Sequence, residues 1–258
     1  MIFSIFYAAH LRRTPEWIKN LIRKVDYWAI SKANAVILVD DARYEQIKGS
    51  APKKIITIYN APEDLPNIKL LNQKDPSVSR KFHVAYIGLL QVERGLFEIL
   101  EVFKVHPQWT LDMAGFGGDE KEISARCASM PNVNFLGRIP YESALQLSIS
   151  ADALFATYDP SIPNHRYSSP NKVFEAMMLG KPIIVCKDTN MDIMIQEADC
   201  GIVIPYGNVL ALEKALQTLA ENPTVRKKLG DNGRIIYETK YSWEIMKKRL
   251  LKLYSSIA

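Results

Sequence analysis

The chain has 258 residues, with 33 Lys and Arg against 28 Asp and Glu and a net charge of +5. That length admits one large domain or two small ones, and a content of 48% hydrophobic and 24% charged residues excludes a disordered or fibrous protein. The modest positive charge is compatible with anionic substrates or a membrane surface and does not argue for a nucleic-acid partner.

No stretch approaches the roughly 20 apolar residues of a membrane span. The apolar start, residues 1–9, is short, with Arg12 and Arg13 after it and no basic residue before it. It reads as the inside of a truncated domain, not as a targeting segment. Residues 15–33 then predict a helix. Trp17, Ile18, Leu21, Ile22, Val25 and Trp28 recur at helical spacing, beside Lys19, Arg23 and Lys24. Two readings stand for it: a helix docked on a sheet with a solvated basic face, or one lying on an anionic membrane surface. Residues 35–39 predict a buried strand, Asp40 and Asp41 cap a helix over about 42–48, and residues 54–60 predict a second strand. The segment from Glu63 to Arg80 is polar and carries Pro66 and Pro76, the composition of a linker.

From Phe82 onward strands and helices alternate. Strands are expected at 83–88, 109–115, 133–136, 153–156, 182–186 and 201–205. Helices are expected at 93–104, 118–129, 141–150, 170–179, 208–221 and 223–238, with a last one from 241 to about 255. This alternation predicts an α/β fold with a Rossmann-like, doubly wound parallel sheet whose ligand site lies at the strand C-termini. The three cysteines, Cys127, Cys186 and Cys200, lie far apart without metal-type spacing. A reduced, cytoplasmic compartment without disulfides fits them.

The segment from Ser168 to Pro182 predicts a short buried helix with a binding site at its start. Ser169 is the expected N-cap, Pro170 the first helical residue, and Gly180 the left-handed C′ residue. Two residues break local rules. Lys172 places a cation in the first turn, where the helix dipole disfavours it. Glu175 sits among Val173, Phe174, Ala176, Met177, Met178 and Leu179, which cover nearly the whole circumference. An anionic ligand bearing a diol reconciles both: its phosphates meet Lys172 and the helix N-terminus, and its hydroxyls donate to Glu175. An (i, i+3) ion pair at a helix edge is the alternative.

Glu175-Ala176-Met177-Met178-Leu179-Gly180-Lys181-Pro182 resembles the nucleotide-sugar-binding motif of retaining GT-B glycosyltransferases of family 4 type. That motif has two glutamates separated by seven residues, the second within Glu-Ala-Met-x-x-Gly-Lys-Pro. The first glutamate falls at Tyr167 here, a departure near the donor sugar and phosphate. The stretch Ser169-Pro170-Asn171-Lys172 resembles a variant of this loop. Gly88-Leu89-Leu90-Gln91-Val92-Glu93-Arg94-Gly95 is similar to the family's diphosphate-holding Gly-Arg-Leu-x-x-x-Lys-Gly loop. Leu89 replaces the arginine, and Arg94 keeps charge at the lysine position; a solvated loop cation is its bland alternative. Gly115, in Gly115-Phe116-Gly117-Gly118, permits close ligand approach, although glycines also end strands for turn reasons. Arg138 follows Gly137 in the family's base-contacting loop. His165 lies in a Pro-containing loop, as a donor contact or simply exposed.

The resemblance implies a nucleotide-diphosphate sugar donor, a glycan or lipid-linked acceptor, retention, and neither cofactor nor metal. It implies four regions: 1–63, a remnant of an N-terminal acceptor-binding domain; 64–81, a linker; 82–238, the nucleotide-sugar-binding domain; and 239–258, a C-terminal helix crossing back to the first domain. Catalytic residues on the acceptor side are unknown. A donor-binding subunit that works with a separate partner chain supplying the N-terminal region is the second reading, and a nucleotide-sugar epimerase of the same architecture a third.

Overall fold

The computed structural model describes residues 15–65 and 81–257. The apolar start with Arg12 and Arg13, and most of the linker, lie outside the described residues. The first part comprises α1 (Glu16–Lys32), β1 (Val36–Leu38), a 3-10 helix (Asp41–Ile47) and β2 (Ile55–Thr57). Asp40 accepts from the Ala42 amide at 2.9 Å and starts a 3-10 turn where a regular helix is expected. β1 and β2 form a parallel two-stranded sheet.

The main sheet holds six parallel strands: β3 (His83–Leu89), β4 (Thr110–Phe116), β5 (Val133–Gly137), β6 (Ala153–Ala156), β7 (Ile183–Cys186) and β8 (Gly201–Ile204). Their spatial order is β5-β4-β3-β6-β7-β8. The helices are α2 (Leu96–Val105), α3 (Glu120–Cys127), α4 (Tyr141–Ser150), α5 (Asn171–Leu179), α6 (Met191–Ala198), α7 (Val209–Glu221), α8 (Pro223–Ile236) and α9 (Trp243–Ser255). Both faces of the sheet are covered, which is why its central strands β6 and β7 read as solid apolar runs. One core joins Leu96, Phe103, Leu111, Phe155 and Leu216; the other joins Leu154, Val173, Phe174, Met178, Val185 and Tyr237.

The expected helix over 93–104 splits at Gly95 into a 3-10 turn (Val92–Arg94) and α2. α6 has no counterpart in the sequence reading. Its Asn190 cap is left-handed (φ 64°) without a side-chain cap bond, and only Met191, Met194 and Ile195 of its residues are buried. A short helix whose Asn190 cap makes no side-chain bond and whose buried stripe holds three residues leaves little local signal.

The first part rests on the last elements of the chain. The Tyr59 amide meets Met246 Sδ at 3.2 Å, and Arg249 Nη1 donates to Thr57 O at 3.3 Å. The Arg234 guanidinium forks onto Asp64 at 2.7 and 2.6 Å and also donates to Met178 O at 2.7 Å. Tyr59 packs against Phe174 and Tyr241, so residues near β2 join the core under α5. Among the described residues, no helix is long and apolar enough to cross a membrane.

Candidate functional site

Strand order reverses between β3 and β6, so the chain leaves these two strands toward opposite sides and opens a crevice at their C-termini. The loops are tied together there. Thr157 Oγ1 donates to Arg94 O at 2.7 Å, and the Asp159 amide donates to Glu93 O at 3.0 Å. Three groups converge: Arg94 from the loop after β3, Tyr158 from the loop after β6, and Lys172 from the first turn of α5.

The Arg94 guanidinium lies 3.9 Å from the centroid of the Tyr158 ring. Its Nε and Nη1 are buried and donate to no acceptor among the described residues. The Lys172 ammonium lies over the Tyr86 ring at 4.2 Å and 5.9 Å from that of Tyr158. Burial, then the neighbouring Arg94 charge, push its pKa down to about 7, while Glu175 opposes them. Two cations thus share a partly desolvated site at the positive end of a helix, and neither has a bonded carboxylate among the described residues. Cations unpaired in this way call for an anion. Gly88 makes the room: a Cβ there would lie 2.6 Å from Lys172 Nζ and 3.2 Å from Tyr86 Oη.

Glu175 is half-buried on α5. Burial raises its pKa; a hydrogen bond from Tyr141 and the Lys172 charge oppose that shift. The Tyr141 hydroxyl donates to Glu175 Oε1 at 3.1 Å. Lys172 and Glu175 interact electrostatically without forming the ion pair that spacing alone permits. Gly180 adopts the expected left-handed conformation (φ 63°) and closes α5.

Several expected site residues take other roles. Ser169 is not the N-cap: Pro170 holds that position, and α5 begins at Asn171. The Ser169 hydroxyl donates instead to Val39 O at 3.1 Å, and its carbonyl accepts from Asn60 Nδ2 at 2.9 Å, so it fastens α5 to the first part of the chain. Gly115 has a packing reason within the protein itself. At φ 152° a Cβ would stand 1.8 Å from Gly88 O, so the glycine lets β4 close against β3. Arg138 is exposed at the end of β5, with its guanidinium 4.8 Å from the Phe116 ring centroid. Asn171 is exposed at the start of α5. Tyr167 opens onto a second cleft of about 700 Å³, with Glu45, Arg166, Asp188 and Asp192 in its walls. His165 is buried, its Nδ1 2.9 Å from Asp159 O, and burial with the Arg94 charge holds its pKa low. Tyr86, Tyr158 and Tyr141 escaped the sequence reading, because each reaches the site from a different strand or helix.

Residues 67–235 match the family model described as glycosyl transferases group 1. The chain belongs to that family. Its sequence is 23% identical over 195 residues to the capsular polysaccharide biosynthesis glycosyltransferase CapM of Staphylococcus aureus, covering 74% of this chain and 50% of CapM. It is 26% identical over 157 residues to the D-rhamnosyltransferase WbpZ of Pseudomonas aeruginosa, covering 59% of this chain and 39% of that protein. The fold superposes on Anabaena Alr3699/HepE in complex with UDP, with a TM-score of 0.74 and 20% identity over 95% of this chain and 70% of that one. The parallel α/β architecture is that of GT-B glycosyltransferases. The chain therefore spans half or less of CapM and WbpZ.

Proposed function

We propose that this chain binds a nucleotide-diphosphate sugar and serves a retaining, family 4 type transfer to a glycan or lipid-linked acceptor in surface polysaccharide or glycoconjugate synthesis. The observation that carries this reading is the uncompensated pair Arg94 and Lys172 beside Glu175 at the switch point of the sheet. The diphosphate sits between the two cations and the α5 N-terminus, and the ribose hydroxyls donate to Glu175. Negative charge developing on the leaving diphosphate meets donors already in place, so the reading assigns its stabilisation to side chains and not to a metal. Asn171 and Arg138 are assigned to the rim of the donor site. Residues 82–238 are the donor-binding unit, joined through 64–81 to residues 1–63, which belong to an acceptor-binding domain, and 239–258 return to that first region. The CapM resemblance supports a place in polysaccharide synthesis.

The test is a calorimetric and thermal-shift panel of UDP, GDP and ADP with their sugars, on the wild type and on Glu175→Ala. A ligand at about 100 times its dissociation constant stabilises by about 2.7 kcal/mol. Binding of one nucleotide, lost in Glu175→Ala and unchanged by EDTA, is the expected result. Binding that survives the substitution removes the carboxylate from the site.

A second reading is favoured by α1. The helix buries Asp26 and Ile30 and exposes Trp17 (68%), Leu21 (55%), Val25 (57%) and Trp28 (63%). Its apolar face thus points away from the described part of the fold, beside a parallel sheet that holds two strands among the described residues. In this reading the chain is the donor-binding half of a transferase, and a further polypeptide supplies the acceptor domain and covers both surfaces. An anionic membrane surface is the rival cover for α1.

A further inference from the structure

The first residue of α4 stands 34 positions before Glu175 in the chain, yet its hydroxyl reaches the carboxylate at 3.1 Å. We propose that Tyr141 is a positioning residue for ribose recognition, holding Glu175 so that its second carboxylate oxygen reads the 2′-hydroxyl of a bound nucleotide. The inference rests on the donor-site reading above.

Glu175 emerges from a helix whose neighbouring residues Val173, Phe174, Ala176, Met177, Met178 and Leu179 are all buried. Such surroundings favour a neutral carboxyl, which would itself be a donor and compete poorly for ribose hydroxyls. Tyr141 counters that tendency by donating to the ionised form. Among the described residues it is the sole hydrogen-bond donor to Glu175. The bond occupies Oε1 and fixes the carboxylate plane, leaving Oε2 as the acceptor. Burial and the adjacent Glu175 charge push the tyrosine's own pKa up to about 12, so it remains a donor across the neutral range. The ring is 54% exposed and belongs to neither main core. Its contribution to folding is correspondingly small, which separates a recognition role from a structural one.

The experiment compares UDP, GDP and ADP with their 2′-deoxy counterparts on the wild type, Tyr141→Phe, Tyr141→His and Glu175→Gln, by calorimetry, with competition NMR for the weaker ligands. The wild type is expected to prefer the ribonucleotide about tenfold. Tyr141→Phe, which keeps the ring and loses the donor, weakens the ribonucleotide about tenfold and the deoxynucleotide less than twofold, erasing the preference. Tyr141→His restores part of it. Equal weakening of both nucleotides, or an unchanged preference in Tyr141→Phe, overturns the positioning role while leaving the donor site standing. A wild type that binds both forms equally overturns the reading of the 2′-hydroxyl by Glu175 and with it the role of Tyr141, while one that binds none of these nucleotides overturns the donor reading beneath it.

Discussion

Lys172 and Arg94 face one another with nothing negative bonded between them, and that arrangement has opposite consequences for folding and for binding. Burial and the Arg94 charge push the Lys172 pKa down to about 7, against 10.5 for an unperturbed lysine. Between those values the unfolded chain holds more protons than the folded one, so this group's contribution makes stability rise with pH across that window. Lys172→Met removes the penalty. Its melting temperature is expected to exceed that of the wild type at pH 7, with the advantage shrinking toward pH 10. Binding runs the other way: an anion needs the charged ammonium, so wild-type affinity for a nucleoside diphosphate falls as pH rises from 6.5 to 9. Titration of melting temperature and calorimetric affinity for both proteins checks the two slopes, and parallel slopes would contradict the geometry. Arg94→Met tests the same logic at a group that stays charged. It leaves stability level or higher, because two buried donors without acceptors disappear. It also weakens diphosphate binding by about 1.5–3 kcal/mol, the usual value of a hydrogen bond to a charged group.

At the level of the elements, two glycines on adjacent strands separate site from scaffold. A Cβ at Gly88 meets the far end of the Lys172 side chain, which can move. Gly88→Ala therefore leaves the melting temperature within a few degrees of wild type and weakens the anion site by displacing the ammonium. A Cβ at Gly115 meets the Gly88 carbonyl, which cannot move without breaking β3 from β4. Gly115→Ala is expected to lose several kcal/mol of stability, read from urea midpoints. This pair also shows how much was legible in the chain. The six strands were readable as short, mainly apolar runs alternating with helical stretches, although β4 and β5 carry Asp112 and Asn134, and the helices were readable where the apolar period was broad. Glu175 and Lys172 stood out because they break helical rules locally. The roles of Ser169 and Gly115 were not readable, since what they touch (Val39 and Gly88) comes from distant positions in sequence. Tyr141 left no trace for the same reason, and α6 because its stripe is narrow and its cap left-handed.

For the molecule as a whole, the informative surface is the one that remains uncovered. Parallel strands occur in sheets with both faces packed, and among the described residues β1 and β2 pair only with each other, with Ile37 43% exposed. The outward stripe of α1 lies on the same part of the chain, and in the second reading its four large apolar groups are an interaction surface. Lys24, Lys32 and Arg23 on this helix suit anionic lipid. A lipid surface, however, offers no strand to the open edges of β1 and β2, whereas a polypeptide supplies both strands and an apolar face. Trp17 and Trp28 report which cover is correct, because Trp109 is buried and Trp243 is half-buried. Acrylamide is expected to quench a large fraction of the emission of the isolated chain, and Trp17→Phe with Trp28→Phe to remove that fraction. Vesicles of phosphatidylglycerol at physiological salt are expected to leave the quenching unchanged. A blue shift with protection, lost at high salt, would instead assign the stripe to a membrane surface and remove the main argument for a completing polypeptide.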